Sequence, residues 1–266
     1  MAYAKINSIT NANIGKVNNA AKATLGKIGG EDAPSTGLTN AKSIALDGAN
    51  DYLAIGSINW DLYSIVFWFK TTSSTFSYPW AKDGGSYFAL RLIGGASAFH
   101  MQHPSTSAQA ETFSKDAHDG NWHMMTVTHS GGSGVESNTR LYLDGALEKS
   151  YTATYTYTNT TNCGSFGAKF DTGCGGPYNY WAGSLDEIGV WKDTVLDADA
   201  VAALYNSGAP IDLSSDSGNY DNSGDLDHWW RMGDGDTFAT VTDNEGSTNL
   251  TMTNMGSEDI VEDVPS

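Results

Sequence analysis

No run of about eighteen or more apolar residues occurs in this sequence, which excludes an ordinary membrane-spanning helix. Proline is scarce, at six residues of 266, and charged residues make up only 17% of the chain. Glycine, serine, threonine and asparagine are abundant instead, a composition typical of short strands joined by polar turns. Because eight tryptophans and thirteen tyrosines need a core in which to pack, we expect a folded, mostly β chain with no membrane partner.

Acidic side chains are missing from the first thirty residues, although the whole chain has a formal net charge of −17. Four lysines in that stretch contribute +4, so residues 31–266 carry −21. Strong net acidity repels polyanions, which disfavours nucleic acid as a partner. The acidity itself has two explanations that stay open here, namely solubility at high local concentration and a specific electrostatic role.

An eleven-residue repeat marks residues 1–30 as a separate arm. Lys5-Ile6-Asn7 recurs as Lys16-Val17-Asn18 and again as Lys27-Ile28-Gly29. Eleven residues equal three helical turns, which favours an amphipathic helix, whereas the many asparagines and glycines favour short extended segments between tight turns. Either structure lacks a core of its own and therefore needs a partner surface. The residues predicted to make that contact are Lys5, Ile6, Ile14, Lys16, Val17, Leu25, Lys27 and Ile28.

The middle of the chain divides into a linker and a strand-rich body. Residues 31–40 are rich in turn-forming residues and predict a linker. Strand-like runs then follow one another over residues 41–212. They end in a single helix, which Asp197 is expected to cap and Gly208 to terminate.

Residues 213–266 form an acidic extension that still contains Trp229, Trp230 and Met232. These side chains are too apolar for a free tail. The extension is therefore expected either to pack on the body of its own chain, which we favour, or to supply strands to a neighbouring chain.

A family resemblance enters at the segment Ser184-Leu185-Asp186-Glu187-Ile188-Gly189-Val190-Trp191 and the helix that follows it. These residues resemble the closing strand and helix of laminin G-like, concanavalin A-like jelly-roll domains. Earlier segments agree in order, so the resemblance covers about residues 41–210. It implies an all-β fold, a jelly-roll sandwich of two antiparallel sheets with one short helix. Fold alone does not assign function.

The resemblance also implies a calcium ion, because such sandwiches often bind Ca²⁺ through aspartate side chains and backbone carbonyls. Asp47, Asp51 and Asp186 stand at the matching strand ends and are the predicted ligands. The alternative for Asp47 and Asp51 is that they simply accept turn hydrogen bonds. We expect no other cofactor.

Aromatic residues in or beside loops are candidates for stacking on sugars. Trp80, Tyr178, Tyr180 and Trp181 meet this description, and residues 175–181 form a candidate binding loop. The alternative is that these side chains cover the core or an interface, where tryptophan and tyrosine are also favoured.

The two cysteines, Cys163 and Cys174, lie eleven positions apart around glycine-rich sequence. In an oxidising extracellular setting they would cross-link the two sides of a hairpin, for about 3 kcal/mol of stabilisation. The alternative is a pair of free thiols.

Catalysis is not expected. Retaining glycanases need two carboxylates about 5–5.5 Å apart, whereas adjacent strand residues such as Asp186 and Glu187 should point to opposite sheet faces. None of the six histidines has a nearby serine or cysteine arranged as a nucleophile. The sequence therefore predicts a protein that is not an enzyme.

The leading functional hypothesis is a structural subunit of an extracellular assembly. The lysine-containing repeat resembles segments of structural proteins of tailed bacteriophages, which implies a virion protein such as a decoration or tail-fibre component. Its partners would be copies of itself, in an oligomer or filament, or other virion proteins, at a virion or extracellular location. A carbohydrate-binding adhesin that recognises cell-surface glycans is the alternative, and a polysaccharide hydrolase or lyase is a more distant one.

Overall fold

A computed structural model describes the folded body of the chain, three short pieces of the arm and one short piece of the predicted linker. The described residues are 38–58, 60, 62–83, 88–93, 98–102, 111–112, 116–130, 139–150, 162–171 and 174–266, together with 16–17, 20–21, 27–28 and 31–32. Of the residues predicted to form the arm contact, Lys5, Ile6, Ile14 and Leu25 lie outside this set.

The described residues form strands that all pair antiparallel. In chain order they are β1 (Lys16–Val17), β2 (Ala20–Ala21), β3 (Lys27–Ile28), β4 (Glu31–Asp32), β5 (Ser43–Asp47), β6 (Tyr52–Ile58), β7 (Tyr63–Lys70), β8 (Ser77–Asp83), β9 (Phe88–Ile93), β10 (Ala98–Gln102), β11 (Glu111–Thr112), β12 (Trp122–His129), β13 (Thr139–Leu143), β14 (Ala146–Ser150), β15 (Asn162–Phe166), β16 (Lys169–Phe170), β17 (Pro177–Tyr178), β18 (Ala182–Lys192), β19 (His228–Trp230), β20 (Thr240–Val241), β21 (Leu250–Thr253) and β22 (Ile260–Val261).

Two large sheets pack face to face. Sheet A has the strand order β11-β10-β9-β8-β15-β6-β21-β20. Sheet B has the order β14-β13-β12-β7-β18-β5-β22, with β19 also paired to β18. The central neighbours of both sheets, such as β15 with β6 and β7 with β18, are distant in sequence, as in a jelly roll. The prediction of an all-β, two-sheet antiparallel sandwich is confirmed.

Strand β7 lies at the centre of sheet B because its side chains are apolar on both faces. Phe67 and Phe69 point between the sheets into the main core. Val66 and Trp68 alternate with them and belong to a second apolar cluster on the outer face of sheet B. The helix and residues 211–229 close this second cluster, so sheet B is covered on both sides.

Helix α1 (Ala198–Tyr205) begins where the sequence predicts. Asp197 Oδ1 accepts a hydrogen bond from the backbone N–H of Ala200 at 2.8 Å, which caps the first turn. Asn206 adopts a left-handed conformation, with φ of 44°, and ends the helix. Short 3₁₀ turns occur at Asn206–Gly208, Ser223–Asp225 and Ser257–Asp259. Over the described ranges, no helix has the length and apolar character needed to cross a membrane.

Cys163 and Cys174 form the predicted disulfide, with 5.6 Å between their Cα atoms. Cys163 lies on β15 in the middle of sheet A, and Cys174 lies in the loop between β16 and β17. The bond therefore ties this loop back onto the sheet.

The described pieces of the arm are extended rather than helical. Strand β1 pairs with β2, and β3 pairs with β4, which lies in the predicted linker. Lys16 and Lys27, which open the second and third copies of the repeat, each begin one of these two-residue ladders. Of the two alternatives for the arm, these pieces therefore follow the extended one.

The acidic extension is built into both sheets. Strand β19 pairs with β18 and β22 with β5 in sheet B, while β21 pairs with β6 in sheet A. The fully buried ring of Trp230 lies 5.9 Å from that of Phe166, and its Nε1–H donates to the Thr248 carbonyl at 2.7 Å. Of the two alternatives for the extension, the structure has the packing on its own chain.

Replacing Trp230 with alanine should lower the free energy of unfolding by about 3–5 kcal/mol, because the change opens a cavity between the sheets. Urea denaturation followed by circular dichroism measures the effect. Leu147→Ala is the control, since Leu147 is 52% exposed on β14 and its loss should cost less than about 0.5 kcal/mol. Equal stability of the two variants would mean that the extension contributes little to the core.

Candidate functional site

Two of the predicted sugar-stacking residues are core residues. Trp80 and Trp181 both have a relative exposure of 0%. Trp80 lies on a strand rather than in a loop, with its ring 5.8 Å from that of Tyr63, and the ring of Trp181 lies 6.0 Å from that of Phe69. The prediction that these two tryptophans bind sugar is wrong, because strand alternation and the entry into β18 turn both indoles inward.

Tyr178 and Tyr180 are half-buried at the surface of the predicted loop. Lys169 Nζ lies 5.6 Å from the centre of the Tyr178 ring and the same distance from that of Tyr78. The hydroxyl of Tyr180 donates to the Pro177 carbonyl at 2.9 Å. Protein contacts therefore cover part of the surface of both tyrosines. Sugar binding by Tyr178 and Tyr180 stays a prediction.

The three predicted calcium ligands do not meet. Asp47 Oδ1 accepts the backbone N–H of Ala49 at 2.7 Å, and Asp51 Oδ2 accepts that of Asp47 at 3.0 Å, as turn residues do. Asp47 pairs with Ala182, whereas Asp186 lies four residues further along β18, about 13 Å away. This ligand set is therefore wrong, and the described residues hold no group of three or more His, Cys, Asp or Glu placed to bind a metal. Calcium binding as such stays a prediction.

Asp186 and Glu187 lie on the same face of sheet B, contrary to the expectation that they point apart. The register of β18 against β7 shifts between Asp186 and Gly189, and Glu187 has a positive φ of 41°. Leu185 and Ile188, which flank the pair, both point into the core between the sheets. The extra residue of this β-bulge thus leaves both carboxylates on the outer face, where they are 0% and 2% exposed.

Arg231 of the acidic extension covers this carboxylate pair. Its Nε and Nη2 atoms both donate to Glu187 Oε1 at 3.1 Å, and Trp229 Nε1–H donates to Glu187 Oε2 at 2.7 Å. Asn40 donates to Asp186 Oδ2 at 2.8 Å. Burial outweighs the Arg231 charge and raises the pKa of Glu187 to about 7. Burial and the neighbouring Glu187 also raise the pKa of Asp186 well above its ordinary value.

Next to this pair, the outer face of sheet B carries a row of three side chains from three adjacent strands. Trp122 on β12 stands directly opposite Lys70 on β7, and Lys70 stands opposite Ser184 on β18. Their chain neighbours Phe69 and Leu185 point into the core, so the row faces outward. Trp122 is only partly buried against the outer cluster. We call the surface formed by Trp122, Lys70 and Ser184 the Trp122 groove.

Asp263 lies at one side of the Trp122 groove. Its Oδ2 accepts a hydrogen bond from Lys70 Nζ at 2.7 Å, and its Oδ1 accepts one from Trp122 Nε1 at 3.1 Å. Its backbone carbonyl accepts from the Ser43 hydroxyl at 2.6 Å. Partial burial raises the pKa of Asp263, but the hydrogen bonds from Lys70 and Trp122 outweigh it and hold that pKa below its ordinary value. The side chain is therefore a carboxylate at neutral pH.

A cavity of about 370 Å³ opens beside Lys70 and Asp263. A side chain at Gly183, where φ is +146°, would come within 2.3 Å of the Lys70 carbonyl oxygen, so glycine is required in this wall. The cavity and the groove together present an indole, an ammonium group and several hydroxyl groups. The other lining residues are Thr71, Thr72, Ser73, Gly120, Ala182 and Ser184.

A second cavity, of about 390 Å³, lies at the opposite end of β18 and is lined in part by Trp60, Lys192 and His228. The ring of His228 stacks on that of Trp230 at 5.2 Å, and its Nδ1 lies 2.7 Å from Asp243 Oδ2. Burial raises the pKa of Asp243, but hydrogen bonds from His228 and from backbone N–H groups lower it to about 2. Trp60 is only 5% exposed, so this cavity offers a ligand less aromatic surface than the Trp122 groove does.

The sequence matches the profile of one family over residues 47–202, more than half of the chain. The family is described as the concanavalin A-like lectin/glucanases superfamily. The chain belongs to this superfamily. No curated protein matches the sequence.

Two solved structures illustrate the shared fold. A native heptameric SAP-like pentraxin from Limulus polyphemus aligns with 82% of this chain and 98% of its own, at 14% identity and a TM-score of 0.53. A putative carbohydrate binding protein from Bacteroides ovatus aligns with 86% of this chain at 14% identity and a TM-score of 0.54. This chain spans 62% of the Bacteroides protein. At such identity the likeness concerns the fold alone.

The Trp122 groove was not visible in the sequence. Trp122 and Lys70 are far apart along the chain and meet only through the register of β7 and β12. Asp263 comes from the extension and reaches the groove only after β22 has paired with β5. Alternation along β12 does indicate that Trp122 shares a face with Met124, but it carries no information about the partner strand.

The raised pKa of Glu187 predicts stability that falls as pH rises. Folded Glu187 holds its proton more tightly than unfolded Glu187, so its contribution is fully present below the ordinary pKa of 4.5 and is lost as pH rises through about 7. Across that window the wild type should lose on the order of 3 kcal/mol more than Glu187→Gln, which cannot titrate.

Urea denaturation at a series of pH values measures the difference between the two proteins. Asp186, Arg231 and Asp234 face Glu187 and remain in both proteins. Because Glu187 also raises the pKa of Asp186, the difference between the curves reports the titration of Glu187 together with its effect on Asp186. Parallel curves would show that folding does not raise the pKa of Glu187.

Proposed function

We propose that the chain is a non-catalytic carbohydrate-binding protein and that the Trp122 groove is its sugar site. The observation that carries the proposal is the row of Trp122, Lys70 and Ser184 on the outer face of sheet B, beside a cavity of about 370 Å³. A concave site of this size with a few convergent polar groups is the usual form of a small-ligand site.

The groups of the groove match the chemistry of a sugar ring. A pyranose has an apolar C–H face and a rim of hydroxyl groups. The indole of Trp122 supplies a flat apolar surface. Lys70 donates to hydroxyl oxygens, and the hydroxyl groups of Thr72 and Ser184 both donate and accept.

Family membership supports this proposal, because the superfamily is described by its lectins and glucanases. The Bacteroides ovatus protein that shares the fold is itself named a putative carbohydrate binding protein. We place the chain outside the cell, since the bond between Cys163 and Cys174 is of a kind that persists in oxidising compartments.

The position of the described carboxylates supports binding without catalysis. Asp186 and Glu187 are 0% and 2% exposed beneath Asn40 and Arg231, so a glycosidic bond does not reach them. Asp263 borders the groove, but its pKa is held below the ordinary value, whereas the acid of a glycosidase needs a raised one.

A glycan array followed by calorimetric titration of the strongest ligand tests the proposal. Trp122→Ala should weaken binding by at least about tenfold, because removal of an aromatic anchor typically costs more than 1 kcal/mol. Tyr178→Ala is the matched control. This change removes a half-buried aromatic side chain from residues 175–181, the loop that the sequence alone predicted to bind sugar. It should leave the affinity for the glycan unchanged.

The opposite pattern, in which Tyr178→Ala weakens binding and Trp122→Ala does not, would move the site to the tyrosine loop. An array on which the wild-type protein binds no glycan would refute the proposed function itself. Thermal unfolding of both variants verifies that each is folded under the conditions of the titration.

We propose assembly through the arm as a second function. The supporting observation is the repeat, whose second and third copies each begin a two-residue ladder, at Lys16 and at Lys27. The lysine-bearing arm and residues 31–266, whose net charge is −21, are complementary, so the arm of one copy would bind the acidic surface of another. A virion subunit, in a decoration or tail-fibre position, is the specific form of this proposal.

Deleting residues 1–30 should leave a folded chain that no longer assembles. Light scattering and negative-stain microscopy compare the two proteins, and circular dichroism checks the fold of the shorter one. About 1 M salt should also dissociate assemblies of the full chain, because exposed charges are screened there within about 3 Å. Assemblies that survive the deletion would show that the arm is not the contact.

A further inference from the structure

We infer that the Trp122 groove contains a carboxylate subsite, formed by Lys70 and Trp122, which Asp263 of the same chain occupies until an acidic sugar displaces it. The inference rests on the proposed function and deepens it. It names the ligand class as a sugar that carries a ring carboxylate, such as a hexuronic acid, and it makes the segment around Asp263 a built-in competitor.

Asp263 is held as a bound carboxylate would be held. Each of its two oxygens has its own donor, the ammonium of Lys70 at 2.7 Å and the indole N–H of Trp122 at 3.1 Å. These two donors belong to cross-strand partners on β7 and β12, so the backbone ladder fixes the spacing of their Cα atoms. Sheet B therefore holds the two side chains side by side, and Asp263 occupies the place between their donor groups.

The contact that Asp263 makes is one that a ligand can replace. The side chain of Asp263 is 48% exposed and that of Lys70 is 32% exposed, and ion pairs this open to water contribute little to stability. The paired strand β22 ends at Val261, two residues before Asp263, so the side chain can leave the groove without breaking the ladder with β5. Neighbouring Glu262 is itself 85% exposed.

The surroundings of the subsite favour a sugar acid over other anions. Among the residues that line the adjoining cavity, Lys70 is the one cation, which matches a single carboxylate. Hydroxyl groups of Thr72 and Ser184 stand beside it and suit the ring hydroxyls of a sugar. A polyanion is disfavoured by the net charge of −17 on the whole chain.

Methyl glucuronide and methyl glucoside are matched probes, because they differ only by a carboxylate in place of a hydroxymethyl group. Asp263→Ala should bind the glucuronide about five- to tenfold more tightly than the wild type does, since the competing carboxylate is gone. Its affinity for the glucoside should change by less than about twofold. Adding Lys70→Met should abolish the preference for the glucuronide.

The chemical shift of the Trp122 indole N–H during NMR titration reports occupancy of the subsite directly, and its absence in Trp122→Phe assigns the signal. Glu262→Ala is the matched control. It removes a neighbouring carboxylate that bonds to Lys42 rather than to the subsite, and it should leave both affinities unchanged.

Two outcomes overturn the inference, and they differ in what else they affect. If Asp263→Ala binds both probes equally, the groove is a sugar site without a carboxylate subsite, and the proposed function stands. If neither probe binds any variant and the array shows no glycan, the proposed function and the inference fall together.

Discussion

Sheet B is apolar on both of its faces, and the arrangement of the rest of the chain depends on this. Strands β7 and β18 direct Phe67 and Ile188 into the core between the sheets, and Trp68 and Trp191 outward. Leaving the outer residues in water would forfeit roughly 25 cal/mol for each Å² of apolar surface. A second covering layer is therefore required, and the helix and residues 211–229 provide it. The family sandwich alone, without this layer, would expose two tryptophans.

The acidic extension covers that face and also supplies a charged partner for the two carboxylates that β18 buries. The bulge places Asp186 and Glu187 together under the covering layer, where two unpaired carboxylates would cost several kcal/mol. Arg231, which belongs to the extension, donates hydrogen bonds to Glu187. Burial raises the pKa of both Asp186 and Glu187. The extension then adds the short strands β20 and β22 as the outer strands at one end of each sheet, where they leave only two-residue edges. The extension thus has one structural role, which is to cover the outer face of sheet B and to complete both sheets.

Features that depend on neighbouring residues were predictable from the sequence, and features that depend on partner strands were not. Alternation and β-branched or aromatic content marked β7 and β12, and the capped helix began at Asp197 as expected. Alternation failed at Asp186 and Glu187, because a single extra residue in β18 is set by pairing with β7 and leaves no local pattern. Trp80 and Trp181 were misplaced for the same reason, since their burial depends on which side faces the second sheet.

The Trp122 groove lies at the boundary of the layer that covers the outer face of sheet B. The outer cluster ends against Trp122, and beyond it the face carries Lys70 and Ser184 instead of apolar residues. A sheet face that is partly aromatic, lined by donors and adjoined by a cavity is suited to a ring with one apolar face and a polar rim. The chain itself supplies the nearest carboxylate, from the segment that follows β22. Because β22 anchors that segment to β5, Asp263 stays at high effective concentration beside Lys70, so an external carboxylate must bring additional sugar contacts to displace it.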